Sequence, residues 1–272
     1  MRILQIVSGA APNGAVLQCL ELTRRLAQRG HELTLLCRPG AWFGDALADQ
    51  PVEVLRSDMQ RPPPDHLRRI GALIQDRRIQ LAHTHMSRAH VFGLLLRWRY
   101  RTPCVATAHN RQRQVHWFLN DYVIANSYAT LRFHQRWNRV AVDRSAVVPS
   151  LVDLKRFESD AAEKRGAGRA AVGVSESVPL IGIIGDVCRR KGHVHLVRAL
   201  PQILAAVPAA RLVVVGHALH ASYKERVCSE AQRLGVAHAL LWRPFEDDIS
   251  NLMHALDLCV SASLEEALGL TI

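Results

Sequence analysis

Residues 1–37 read MRILQIVSGAAPNGAVLQCLELTRRLAQRGHELTLLC. Ile3 to Val7 and Glu32 to Cys37 have the short apolar runs of buried strands. Between them, Ala15 to Arg29 places Val16, Leu20 and Ala27 at helical spacing, with Leu22 and Leu26 widening the apolar face. Gly30 is a natural helix stop. A strand, a helix of about four turns and a second strand make a βαβ unit, which implies parallel strands and a right-handed crossover. The same pattern returns in strands expected at Gln80 to His83, Cys104 to Thr107, Tyr122 to Ala125 and Ala146 to Val148. Residues 1–157 are therefore expected to form one doubly wound α/β domain.

The texture changes at Ser159 to Ser177, SDAAEKRGAGRAAVGVSES, which is small, polar and glycine-containing. Residues 158–177 read as a linker with a short helix. The βαβ pattern then restarts for residues 178–272. Leu180 to Ile184, Arg211 to Val215, Leu240 to Trp242 and Leu258 to Ser261 read as strands. Val194 to Val207, Ala221 to Leu234 and Asp248 to Ala255 read as helices. Pro201 sits inside the first of these helices and is expected to kink it or mark a restart. Two such α/β domains bind ligands at the C-terminal ends of their strands, in a cleft.

Composition narrows the function. The chain has 272 residues, 49% of them apolar, enough for two ordinary domains. No stretch approaches the ~20 apolar residues of a membrane span, and the N-terminal apolar run is too short for a signal segment, so the expected compartment is the cytoplasm. Six scattered cysteines lack any CxxC pairing, and the paired histidines His83/His85 and His193/His195 lack the HExxH spacing. Reduced cysteines and no metal are expected. Residues 1–157 hold 23 Lys+Arg against 11 Asp+Glu, whereas residues 158–272 hold 12 against 13. The excess basicity of the first half fits an anionic membrane surface or nucleic acid, or else a solvated arginine-rich face. LLLRWRYR (Leu94 to Arg101) and LRFHQRWNRV (Leu131 to Val140) interleave arginines with aromatics, which suits an anionic interface. No nucleic-acid-binding motif accompanies them, so nucleic acid is not expected as a partner.

The sharpest local signal is IIGDVCRRKGHVHLVRAL, Ile183 to Leu200. A buried strand ends at Gly185, a short loop delivers Arg189, Arg190 and Lys191, and Gly192 opens a helix. Cations converging on a helix N-terminus suit a diphosphate, and preplaced charge stabilises a leaving phosphate without a metal. A solvated basic turn has the same spacing. A nicotinamide-dependent oxidoreductase is the doubly wound rival, but SGAAPNGA lacks GxGxxG.

The last stretch, LCVSASLEEALGLTI, resembles glycosyltransferase family 4: an apolar strand, a serine-containing loop, then the segment that opens the family's E-x7-E motif. By this match Glu266 is the first glutamate, followed by Ala267, Leu268, Gly269 and Leu270, and the second would fall at position 274. Other landmarks occur in family order. Asn13 and Gly14 occupy the glycine-rich loop. His85 in LAHTH and His109 in VATAHN stand at strand ends. DYVIANS ends at Ser127, VVPSLVDLKRF resembles the hinge, GDVCRRKG the phosphate loop, and LVVVGHA the next strand with Gly216. The resemblance covers essentially the whole chain.

It implies a GT-B fold of two Rossmann-like domains, the second incomplete, and retaining transfer of a sugar from a nucleoside-diphosphate sugar. The acceptor class is a glycan, lipid or lipopolysaccharide-type molecule, and no metal or other cofactor is needed. His109 and Glu266 are the implied catalytic residues. Gly14, Arg190 and Lys191 are implied to hold the donor diphosphate, and Asn13, His85, Gly185, Gly216, Glu265 and Gly269 to line the substrates. A one-residue slip would exchange Glu265 and Glu266, Gly14 also suits a plain tight turn, and backbone-satisfied histidines are the other reading of His85 and His109. Asp186 stands where the family usually has arginine, and Ser150-Leu151 where it has Asn-Gly. A non-catalytic fragment that binds acceptor or membrane is the alternative function.

Overall fold

In a computed structural model the chain divides into two compact units, Met1–Leu151 and Val152–Ile272. The structure describes residues 1–10, 13–41, 46–59, 64–158, 160–244, 249–269 and 271. Leu270 of the terminal motif, and Asp248 at the start of an expected helix, lie outside the described residues.

Unit 1 runs β1 (Arg2–Val7), α1 (Gly14–Gln28), β2 (Glu32–Cys37), β3 (Val52–Arg56), α2 (Pro64–Asp76), β4 (Leu81–His85), α3 (Ser87–Tyr100), β5 (Cys104–Ala108), β6 (Tyr122–Ala125), α4 (Tyr128–Asn138) and β7 (Ser145–Val147). Its strands are parallel and lie in the order β3-β2-β1-β4-β5-β6-β7. Side chains alternate across β1. Leu4 and Ile6 join Phe92, Leu96 and Ile70 on one face, while Val7 joins Val16, Leu20 and Leu35 on the other. The winding reverses between β1 and β4, so the loops after these two strands turn to opposite faces and open a crevice at their C-terminal ends.

β3, α2, α3 and α4 were not expected from the apolar pattern. In α3 the apolar residues encircle the helix instead of forming one stripe: Phe92 and Leu96 are buried, Val91 and Trp98 exposed. α3 and α4 carry the two arginine–aromatic stretches. β4 extends two residues past its expected end, which makes His85 its last residue, and His109 directly follows β5.

Unit 2 runs α5 (Lys155–Glu158), α6 (Ala161–Val172), β8 (Leu180–Ile184), α7 (His193–Ala206), β9 (Arg211–Val215), α8 (Ala221–Arg233), β10 (Leu240–Arg243), α9 (Ser250–Ala255) and β11 (Leu258–Cys259). Its parallel sheet has the order β10-β9-β8-β11, and its winding reverses between β8 and β11. Val152 to Phe157, grouped with the first half in the sequence, fall in this unit.

Two sequence expectations change here. Most of the segment read as a linker is the 12-residue helix α6, which lies against α9. Arg169, 2% exposed, is the reason. It donates to the carbonyls of Ser175 (2.6 Å) and Val178 (2.9 Å) and to Asp257 (2.7 Å). Asp257, itself exposed, also accepts the amide of Leu180, so the buried Arg169 and its partner pin α6 to the starts of β8 and β11. The second concerns Pro201, which marks no restart: α7 continues through it. Val194, Val197 and Leu200 bury one face of it, and that packing outweighs the missing amide. All six cysteines are free, and no described helix is long and apolar enough to cross a membrane.

Candidate active site

In unit 2 the sequence-distant pair β8 and β11 lie side by side, so the loops that follow them meet. Gly185 follows β8 with φ +132°, Arg189–Lys191 form a 3-10 turn, and Gly192 turns into α7 with φ +72°. A Cβ on Gly192 would sit 1.9 Å from the Ala262 carbonyl oxygen, so only glycine lets the loop after β11 approach this turn. The Leu264 amide donates to the Arg190 carbonyl at 2.8 Å and closes the approach. Gly216, after β9, has φ +147° and packs so close to the Gly185 carbonyl that a Cβ would lie 2.2 Å from it.

The side chains gather on Glu266. Lys191 Nζ donates to its Oε1 at 2.5 Å, Arg190 Nη1 to its Oε2 at 3.3 Å, and Ser263 Oγ to Oε1 at 2.7 Å. Burial raises the Glu266 carboxyl, but Lys191, Ser263 and Arg190 outweigh it and hold the group below its ordinary value. Glu265 is exposed, and its carbonyl rather than its carboxylate receives Arg190, at 3.2 Å. Arg189 is exposed, with no carboxylate partner among the described residues. Asp186, in the same loop, is raised by burial against the pull of Arg190, Lys191 and His217. Gly269 takes φ +81° in the turn beyond Glu266. Ser263 was missed in the sequence, where it was only an unremarkable loop serine.

In unit 1 the reversal between β1 and β4 gathers a second group. Asn13 caps α1, its Oδ1 accepting the amides of Ala15 (3.0 Å) and Val16 (3.1 Å), while its carbonyl accepts that of Leu17. Gly14 is the first residue of that helix. His85 is 1% exposed and lies between β1 and β5. Its Nε2 donates to Gln5 Oε1 at 3.2 Å, which leaves Nδ1 to accept from His109 Nε2 at 3.0 Å. His109 then keeps a lone pair on Nδ1. Burial lowers it to about 4, so it is a neutral hydrogen-bond acceptor at neutral pH. His83, bonded to Thr107 Oγ1 at 2.7 Å, is lowered to about 4 chiefly by burial and then by His109. Burial first, then the neighbouring histidines, also lowers His85.

The loop carrying His109 is tied to α4. His134 Nε2 donates to the Asn110 carbonyl (2.8 Å), and Asn138 donates to the Gln112 carbonyl (2.8 Å) and to His134 Nδ1 (2.8 Å) while accepting the Gln114 amide (2.9 Å). Neither Gln5, His134 nor Asn138 was singled out in the sequence. His134 and Asn138 are i, i+4 on a helix, but only the fold shows that this face meets a loop 24 residues away. Among the described residues no three His, Cys, Asp or Glu side chains converge as a metal site.

The family model described as Glycosyltransferase Family 4 matches residues 12–156, and the one described as Glycosyl transferases group 1 matches residues 165–272. A D-inositol 3-phosphate glycosyltransferase of Segniliparus rotundus is 26% identical over 217 residues, 71% of this chain and 48% of that protein. A GDP-mannose-dependent monoacylated alpha-(1-6)-phosphatidylinositol monomannoside mannosyltransferase of Corynebacterium glutamicum is 34% identical over 86 residues, 32% of this chain and 23% of that protein. The chain thus spans about half or less of the length of these curated relatives. Anabaena HepE in complex with UDP-glucose shares the fold, with a TM-score of 0.85 at 21% identity over 98% of this chain and 75% of that one. With more than half of its length matched by one family model, the chain belongs to glycosyltransferase family 4.

Proposed function

We propose that this protein transfers a hexosyl group from a nucleoside-diphosphate sugar to a glycan, lipid or lipopolysaccharide-type acceptor, with retention at the anomeric carbon. The observation that carries the reading is the pair Arg190 and Lys191 beside the start of α7, held against one carboxylate, Glu266. Three cations on this turn, Arg189, Arg190 and Lys191, against two carboxylates, Glu266 and Asp186, leave a positive balance for a diphosphate. In this reading the incoming phosphates compete for Lys191 and Arg190 and release Glu266 to accept hydrogen bonds from the sugar hydroxyls. As the anomeric C–O bond breaks, charge grows on the leaving phosphate, and the fixed cations stabilise it. Gly14, at the α1 N-terminus, offers a backbone amide to the same class of ligand. Neutral His109, with a free lone pair on Nδ1 and its ring oriented by His85, accepts a hydrogen bond from a substrate hydroxyl. Asn13, His85, Gly185, Gly216, Glu265 and Gly269 line or shape the loops that carry these groups.

The monoacylated phosphatidylinositol acceptor in the name of the Corynebacterium relative supports a glycolipid acceptor here. The test is calorimetry with UDP, GDP and ADP. One of them binds the wild type, and Lys191→Ala weakens it by about tenfold or more, as loss of a charge-assisted contact requires. Equal binding to both forms, or none to either, overturns the assignment.

A further inference from the structure

The outer face of α3 carries a groove of about 280 Å³ that the transfer chemistry does not use. Met59, Phe92 and Leu95 give it an apolar floor, and Ser87, Gln114 and His116 form a polar end. Ser87 Oγ donates to Gln114 Oε1 at 3.1 Å. His116 is 8% exposed, and its Nε2 has no partner among the described residues. An unsatisfied buried ring nitrogen lining a groove marks a place for a ligand's polar group.

Around the groove the surface is apolar where an ordinary helix face is polar. Val91, Leu95 and Trp98 follow each other at i, i+4 and i+7 along α3, with Val91 49% and Trp98 81% exposed. The 3-10 turn Val115–Leu119 packs against α3 and exposes Val115, Phe118 and Leu119. Single exposed apolar residues are ordinary, but five on two adjoining elements are not. The charge around them is predominantly positive. Residues 77–121 contain eight arginines and one acidic residue, Asp121. Arg97 is engaged by Asp121, while Arg88, Arg99 and Arg101 have no carboxylate partner among the described residues. Asp58, beside Met59, is the acidic side chain on the loop that reaches the groove.

We propose that this face docks on an anionic phospholipid bilayer. Val91, Trp98, Val115 and Phe118 enter the acyl boundary, and Arg88, Arg99 and Arg101 meet the headgroups. A lipid polar group reaches His116 Nε2 in the groove. Three of the five exposed apolar side chains, Val91, Val115 and Leu119, are aliphatic and cannot stack on bases, so the surface fits acyl chains better than nucleic acid. The inference is independent of donor binding, since none of these residues belongs to the Glu266 cluster.

The full chain is sedimented with phosphatidylcholine vesicles and with vesicles containing about 30 mol % phosphatidylglycerol. Binding is expected only to the anionic vesicles and is expected to weaken as salt rises. Trp98→Glu combined with Val115→Glu lowers the partition coefficient by about tenfold or more, because charge replaces apolar insertion. Trp98→Glu alone, at a site 81% exposed, serves if the double variant melts early. Val207→Glu, at an exposed site in unit 2, and Lys191→Ala leave binding unchanged. Equal binding of the Trp98 variants and the wild type overturns the proposal. So does equal binding to neutral and anionic vesicles, or retention of single-stranded RNA by a wild type that ignores vesicles. Loss of diphosphate binding with vesicle binding intact would instead count against the transferase site alone.

Discussion

Replacing His83 by glutamine should remove part of the acid sensitivity of unit 1. His83 is 6% exposed on β4, bonded to Thr107, and burial lowers it from 6.5 to about 4. Between these two values the unfolded chain binds a proton that the folded chain refuses. Stability is therefore fully present above about pH 6.5, falls with pH, and stops falling below about 4. For one such group the loss is about 2 kcal/mol at pH 5 and reaches about 3 kcal/mol below pH 4, where the folded state takes up the proton as well. Against the roughly 5–15 kcal/mol typical of a domain, that is a large fraction. His85 and His109 are lowered beside it and deepen the fall, without simple additivity because the rings interact. The assay is urea unfolding between pH 7.5 and 4.5, followed by tryptophan fluorescence. Four of the five tryptophans lie in unit 1. His83→Gln keeps a partner for Thr107 and should flatten the slope, recovering about 2 kcal/mol of the wild-type loss at pH 5. A variant that loses stability with pH as steeply as the wild type refutes the reasoning.

Arg169→Leu leaves the buried carbonyls of Ser175 and Val178 without their donor, while Asp257 keeps Arg165 and the Leu180 amide. It should cost unit 2 about 1–3 kcal/mol, read as an early transition in calorimetry. Asn138→Ala removes the bonds to Gln112, Gln114 and His134. It should speed hydrogen exchange in residues 110–114, with a stability loss of about 1–3 kcal/mol. Gly192→Ala meets the Ala262 carbonyl and a left-handed backbone. It should lower the melting point of unit 2 and weaken diphosphate binding together, whereas Lys191→Ala weakens binding alone.

Much of the fold is legible in the sequence because parallel strands buried on both faces are near-continuous apolar runs. Ile3 to Val7, Glu32 to Cys37, Tyr122 to Ala125 and Leu180 to Ile184 all lie within or coincide with the strands found. What escaped had a mixed pattern. α3 mixes arginines with apolar residues that form no single stripe, and α6 reads as a polar, glycine-containing linker because it is held by Arg169 reaching Asp257, 88 residues away. Glu266, Lys191 and Arg190 were readable as motif residues, but their meeting was not.

The sequence by itself determined the alternation of strands and helices, the basic first half and the cationic turn at Arg189 to Lys191, since each rests on neighbours along the chain. Tertiary structure alone decided which of these elements became neighbours in space. The pairing of β8 with β11 sets Glu266 rather than Glu265 on the cations, and the pairing of β4 with β1 and β5 sets His85 between Gln5 and His109. Those pairings arise where the winding of each sheet reverses, a choice made by packing across the whole sheet and carried by no single segment.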